Sequence, residues 1–186
     1  MFLTCLDALL LFLVGTKGQS GYDIRQIFQS TPLGIFSDSP GAIYPALARL
    51  EKRGLLVGIE AAGGRRRRVF DRTQKGGEAL TTYLSQPIEP RTLARRPEEL
   101  ELRYVMIAVS LGEAQAAAFA GRCGDAFEGA MHALIAFYDG PGQAMGAPSL
   151  RALDLGIRLY RTRLQWCRDM AVLAEPRSTQ GETHAD

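Results

Sequence analysis

Histidine and cysteine are scarce in this chain. Two histidines (His132, His184) and three cysteines (Cys5, Cys123, Cys167) are spread over 186 residues. The cysteines are odd in number and form no CxxC pair, which argues against a disulfide framework or a zinc knuckle. Reduced, apolar thiols of a cytosolic protein are the reading that remains. No Ser/His/Asp or Cys/His arrangement, phosphate loop or metal-ligand spacing stands out, so neither an enzyme nor a cofactor is expected. His132, within a long helical stretch, reads as structural. Long apolar runs are missing too: none approaches the roughly 18 residues of a membrane span. The N-terminal MFLTCLDALLLFLVG lacks a basic flank, is interrupted by Asp7 and is followed by no A-x-A-like site. It reads as a buried helix, not a secretory leader, and a cytoplasmic protein without membrane attachment is expected.

Large net charge is also absent, but the small excess of +2 is unevenly placed. Residues 41–75 carry nine basic and three acidic side chains, whereas residues 87–186 are slightly acidic. A local basic surface points to a polyanion; the acidic half argues against nucleic acid coating the whole molecule.

What is present is a regular alternation of helices and turns. Leu3, Leu6, Leu9, Leu10 and Leu13 recur at helical spacing, and Gly15 and Gly18 close that helix. Ser20 caps a second helix running to Gln29. TPLGIFSDSPG is turn-like. A third helix follows in GAIYPALARLEKRG, with Ser39 as cap and Pro40 at its first position. Ile43, Leu47 and Leu50 share its inward face, which leaves Tyr44, Ala48, Arg49 and Lys52 outward. Two strand-like pieces, Leu55–Glu60 and Arg67–Asp71, flank the hairpin loop AAGGRR. Thr73 caps a fourth helix ending near Leu84, which Gly76 and Gly77 are each expected to weaken by about 0.5–1 kcal/mol relative to alanine. Three helices, a two-stranded wing and a closing helix make a winged helix-turn-helix over residues 1–86.

The second half is helical. Pro87, Pro90 and Pro97 mark 87–97 as a linker. Glu98–Leu111 and Glu113–Tyr138 are amphipathic, DGPGQAMGAP breaks the pattern, and Ser149–Ala174 is the most regular helix of the chain. Its Leu150, Leu153, Ile157, Tyr160, Leu164, Cys167 and Ala171 form a heptad seam expected to pair with a symmetry mate. A second stripe carries Leu155, Leu159, Trp166, Met170 and Leu173, so the helix needs two covers: the preceding helix and a second subunit. Residues 98–175 thus read as a helical dimerisation and effector domain, and 176–186 as a disordered tail. The expected fold class is mainly α: an N-terminal winged helix-turn-helix with a two-stranded wing, plus a C-terminal α-helical dimerisation domain.

Three segments, LDALLLFLVGTKGQSGYDIRQIF, SPGAIYPALARLEKRGLL and GGRRRRVFDRTQKGGEAL, stand in the order and spacing of a known family. Over residues 3–84 the chain resembles the PadR family of transcriptional regulators. Its second half is similar, by helical pattern and length, to the larger PadR subfamily, whose helical domain is like that of virulence-gene activators. Two departures stand out. The family's Tyr-x-Leu-Thr before the fourth helix is Phe70-Asp71-Arg72-Thr73 here, a charge at an apolar position, and the wing bears four consecutive arginines.

The resemblance implies a regulator, a repressor in the family's manner, that binds double-stranded, palindromic operator DNA as a homodimer and responds to a small-molecule effector. The third helix would enter the major groove. Gly41 and Ala42 allow close approach, and Tyr44 offers a hydroxyl and a ring edge. Arg49 is open between a guanine edge, a phosphate and solvent. Lys52 is open between phosphate and solvent, and Ser37 and Ser39 between phosphate and local capping. Tyr22 is similar to a family tyrosine near a DNA phosphate, or is half-buried core. Arg65, Arg66, Arg67 and Arg68 occupy the wing tip, where four adjacent like charges need a polyanion. Strand alternation puts Arg66 and Arg68 on one face and Arg67 on the other. Tyr104, Phe137, Tyr160 and Trp166 either line an effector pocket or are ordinary core aromatics. The competing function is a winged-helix protein-interaction module that does not read DNA.

Overall fold

The computed structural model describes residues 2–16, 18–31, 33, 40–60 and 68–172. The chain divides into two compact units, Met1–Gln86 and Pro87–Asp186. The expected turn at TPLGIFSDSPG falls mostly outside the described residues, as do the wing tip and the 176–186 tail.

In the first unit, polar caps start the helices and apolar spacing decides which faces they bury. Helix α1 (Cys5–Thr16) opens on a reciprocal pair: the Asp7 N–H donates to Thr4 Oγ1 at 3.1 Å, and the Thr4 N–H donates to Asp7 Oδ2 at 3.0 Å. Ser20 and Asp23 repeat the device at the start of α2 (Gly21–Ser30), at 3.2 and 3.0 Å. Such caps contribute about 1 kcal/mol each. Ala8 through Leu11 are all buried. A helix apolar on every side belongs at the centre of its unit, and α1 touches α3 (Pro40–Lys52), β3 (Arg68–Arg72) and α4 (Gln74–Leu84). Ile43, Leu47 and Leu50 of α3 are buried, at the spacing that one helical face requires.

The sheet holds three antiparallel strands, β1 (Gln19–Ser20), β3 and β2 (Leu56–Glu60), in the order β1-β3-β2. The hairpin register runs from Leu56 opposite Arg72 to Glu60 opposite Arg68. Beyond the expected hairpin, β1 pairs Gln19 with Phe70 and Ser20 with Val69, which ties the entry of α2 to the wing. Arg72, the charged departure from the family pattern, is accommodated rather than disruptive. Its guanidinium lies over Gly15, where a Cβ would come within 2.3 Å of Cζ, and Nη1 donates to the Leu11 carbonyl at 3.3 Å.

The second unit contains α5 (Pro90–Arg95), α6 (Glu98–Leu111), α7 (Glu113–Asp139), a 3-10 helix (Pro141–Met145) and α8 (Ala147–Val172). The stretch 87–97, expected as a linker, thus holds a helix whose Leu93 is buried against its own unit. Gly112, at φ +101°, joins α6 to α7 in a conformation reserved for glycine.

Helices α7 and α8 pack antiparallel. The seam expected to meet a symmetry mate lies instead against α7 of the same chain: Ile157, Leu164 and Cys167 are buried, Tyr160 meets Phe127 with ring centroids 6.0 Å apart, and Leu153 reaches the Gly142 turn. A short connection makes the preceding helix the nearest cover for α8. The other stripe remains on the surface, with Leu155 and Leu159 exposed. Among the described residues, no helix is long and apolar enough to cross a membrane.

Candidate nucleic-acid interface

Two tyrosines and one wing arginine frame a surface hollow of about 440 Å³ on the first unit, bounded by β1, α2, α3 and β3. Tyr22 is 56% exposed and Tyr44 46% exposed. The Tyr44 ring rests on the first residue of α2, where the ring could not stay if a side chain stood beneath it: a Cβ on Gly21 would stand 2.5 Å from Tyr44 Cε1. Tyr22 Oη accepts from Gln26 Nε2 at 2.8 Å, one turn along α2. Opposite, Arg68 donates to Glu51 Oε1 at 2.7 Å and lies over the Phe70 ring at 5.7 Å. The same Glu51 oxygen accepts the Gly58 N–H at 2.9 Å, so the third helix, the wing and Arg68 are tied together.

Arg49 is committed within the protein. Its Nη2 donates to Asp7 Oδ1, joining the outward side of α3 to the start of α1. The carboxylate is almost fully buried (2% exposed), whereas the Arg49 side chain is 43% exposed. In this geometry Arg49 sets the seat of α3, while the rest of its guanidinium, on a half-exposed side chain, keeps further N–H donors. Arg49→Gln should therefore lower stability by about 1–2 kcal/mol in urea unfolding. That is less than the 3–5 kcal/mol of a fully buried pair, because water screens the guanidinium. An unchanged midpoint would show that the pair contributes nothing.

The remaining expected residues are distributed as follows. Gly41 and Lys52 are exposed on α3 and Ala42 is half-buried. Ser37, Ser39, Arg65, Arg66 and Arg67 lie outside the described residues. The residues that position this surface from behind, Asp7, Gly21 and Glu51, had no assigned role at the level of sequence. Asp7 had left a trace as the one charge interrupting an apolar helix.

The four aromatics of the expected effector pocket do not converge. Tyr104 meets Trp166 edge-on with centroids 5.1 Å apart, Tyr160 pairs with Phe127, and Phe137 is exposed near the other end of α7. Burial, then the Glu113 carboxylate, raises the Tyr104 phenol above its ordinary pKa. Beside Trp166 lies a hollow of about 380 Å³, lined also by Glu101, Val105, Thr162 and Arg163. Arg163 Nε donates to Glu101 Oε1 at 3.1 Å across it.

Residues 10–82 match the model of the transcriptional regulator PadR-like family. A search of curated proteins found no match. Similar solved structures include Bacillus subtilis PadR in complex with operator DNA, at 20% identity and TM-score 0.43, covering 91% of this chain and 99% of that one. A PadR-like regulator from Bacillus cereus aligns at 21% identity and TM-score 0.39, over 90% and 96% of the two chains. Bacillus subtilis PadR in complex with p-coumaric acid aligns at 20% and 0.40, over 91% and 94%. These likenesses are distant, and the weight rests on the matched segment, which spans α2, α3, the wing and most of α1 and α4. Over residues 10–82, this chain is thus similar to the PadR-like family of transcriptional regulators.

Proposed function

We propose that the protein represses transcription by binding a two-fold operator as a homodimer, with α3 in the major groove and the arginine-rich wing on the minor groove or its phosphates. The observation that carries this reading is the exposed pair Tyr22 and Tyr44 set against Arg68, on the face from which α3 would enter DNA. The match of residues 10–82 to the PadR-like family model and the excess of cations in residues 41–75 support it. A second copy would cover the stripe that α7 leaves open, where Leu155, Leu159 and Trp166 share one side of α8 and Val105 lines the same hollow as Trp166. An effector seated in that hollow would change how the second copy packs and so the spacing of the two reading helices.

The test is a gel shift on DNA upstream of the protein's own gene, with light scattering on the same sample. A sequence-selective complex formed by a dimer is expected; a monomer at micromolar concentration, or no selective complex at low salt, refutes the reading. Gly21→Ala sharpens the test. The added methyl must push the exposed Tyr44 ring aside, which costs the fold little but moves a reading group. Operator affinity should fall about tenfold, within the 1–3 kcal/mol of one base contact, at an unchanged melting temperature. Undiminished affinity would remove Tyr44 from the interface.

A further inference from the structure

Cys123 on α7 and Cys167 on α8 are both buried, and neither forms a disulfide. The helices are in contact here: a Cβ on the neighbouring Gly124 would stand at van der Waals distance from α8, 3.5 Å from Cys167 Cβ and 3.7 Å from Leu164 Cδ1. The facing Cys123 side chain holds the Cys167 thiol below its ordinary pKa against the opposing effect of burial, and Cys123 is raised correspondingly. A hollow of about 130 Å³ opens onto Cys167 between Gly121, Gly124 and Leu164. The Arg168–Glu128 ion pair, at 2.9 Å, joins α8 to α7 beside it. The space is several times the ~30 Å³ share of one water molecule, enough for a small hydroperoxide.

We propose that Cys123 and Cys167 form an oxidisable dithiol site that reduces small hydroperoxides and closes to a disulfide between α7 and α8. Cys167, as thiolate, attacks one oxygen of the O–O bond. An S–O bond forms, the O–O bond breaks, and the departing oxygen takes a proton and leaves as an alcohol, or as water from hydrogen peroxide. The Cys123 sulfur then attacks the Cys167 sulfenic acid. The S–S bond forms, the S–O bond breaks, and hydroxide leaves with the Cys123 proton as water. The two thiols lose two electrons and the peroxide gains them. Cys5, on α1 of the other unit, takes no part.

The experiment uses the full chain. It is treated with hydrogen peroxide, denatured with an alkylating agent present, digested and analysed by mass spectrometry. One cross-linked peptide pair joining Cys123 to Cys167, reversed by dithiothreitol, with Cys5 alkylated, is expected. Cys5→Ser should give the same cross-link, and Cys123→Ser should leave a Cys167 sulfenic acid that dimedone traps. Recovery of both thiols alkylated, their separate over-oxidation in the wild-type chain, or a cross-link between chains would overturn the assignment. Because the wild-type chain is read directly, a variant that fails to fold does not obscure the result.

Discussion

Gly76→Ala should destabilise the N-terminal unit by about 2–3 kcal/mol, the range for forcing a methyl into a filled site. The same change at Gly77 should be neutral or stabilising by up to about 1 kcal/mol. Both glycines stand in the first turn of α4, where alanine is the better helix former. They differ in what lies outside the helix. A Cβ on Gly76 would sit 2.1 Å from the Leu55 carbonyl oxygen, whereas one on Gly77 meets nothing closer than Arg72 Nε at 3.9 Å. The Leu55 carbonyl has little room to retreat, since it accepts the Thr73 N–H at 3.2 Å. Thr73 Oγ1 in turn donates to Gly54 O at 2.8 Å and accepts the Gly76 N–H at 3.0 Å. The start of α4 is therefore clamped on the turn between α3 and β2, with a bare glycine at the point of closest approach. Urea unfolding of both variants is the measurement. Equal behaviour at the two positions would show that the clamp is softer than described.

Operator affinity should fall about 10³–10⁵-fold between 50 and 200 mM salt if the dimer neutralises about 6–10 phosphates, because each neutralised phosphate releases condensed counterions. The source of that slope is the wing run Arg65–Arg68, two copies of which would meet one operator. Alanine at Arg65, Arg66 and Arg67 should flatten the slope by about 0.9 for every phosphate that no longer faces an arginine. Arg68 is a poorer choice for this test, since it also holds Glu51 and its removal would disturb the joint between α3 and the wing. A titration series by fluorescence anisotropy gives the slope directly. Affinity indifferent to salt would mean that the arginines serve an acidic protein surface rather than a duplex.

Much of the helical framework was legible in advance. Glu98–Leu111 is a helix within the bounds its apolar spacing gave, and Ser20 and Thr73 cap the helices they were expected to cap. The third strand was not legible, because two residues carry no periodicity. Nor was the helix at Pro90–Arg95: prolines that open a short helix look the same, in sequence, as prolines that mark a linker. For the interface, the outward position of Tyr44 followed from the inward stripe of its helix. The engagement of Arg49 did not, since its partner belongs to α1.

Spacing and capping were enough to specify a winged helix-turn-helix unit followed by amphipathic helices, because those forces act between residues a turn or two apart. Packing settled what remained: that Asp7 holds Arg49, that Gly76 must stay bare against Leu55, and that the heptad side of α8 turns to α7 while its other side stays open. Each of these joins residues far apart in the chain, where an apolar stripe or a lone charge states that a partner is needed but not which one.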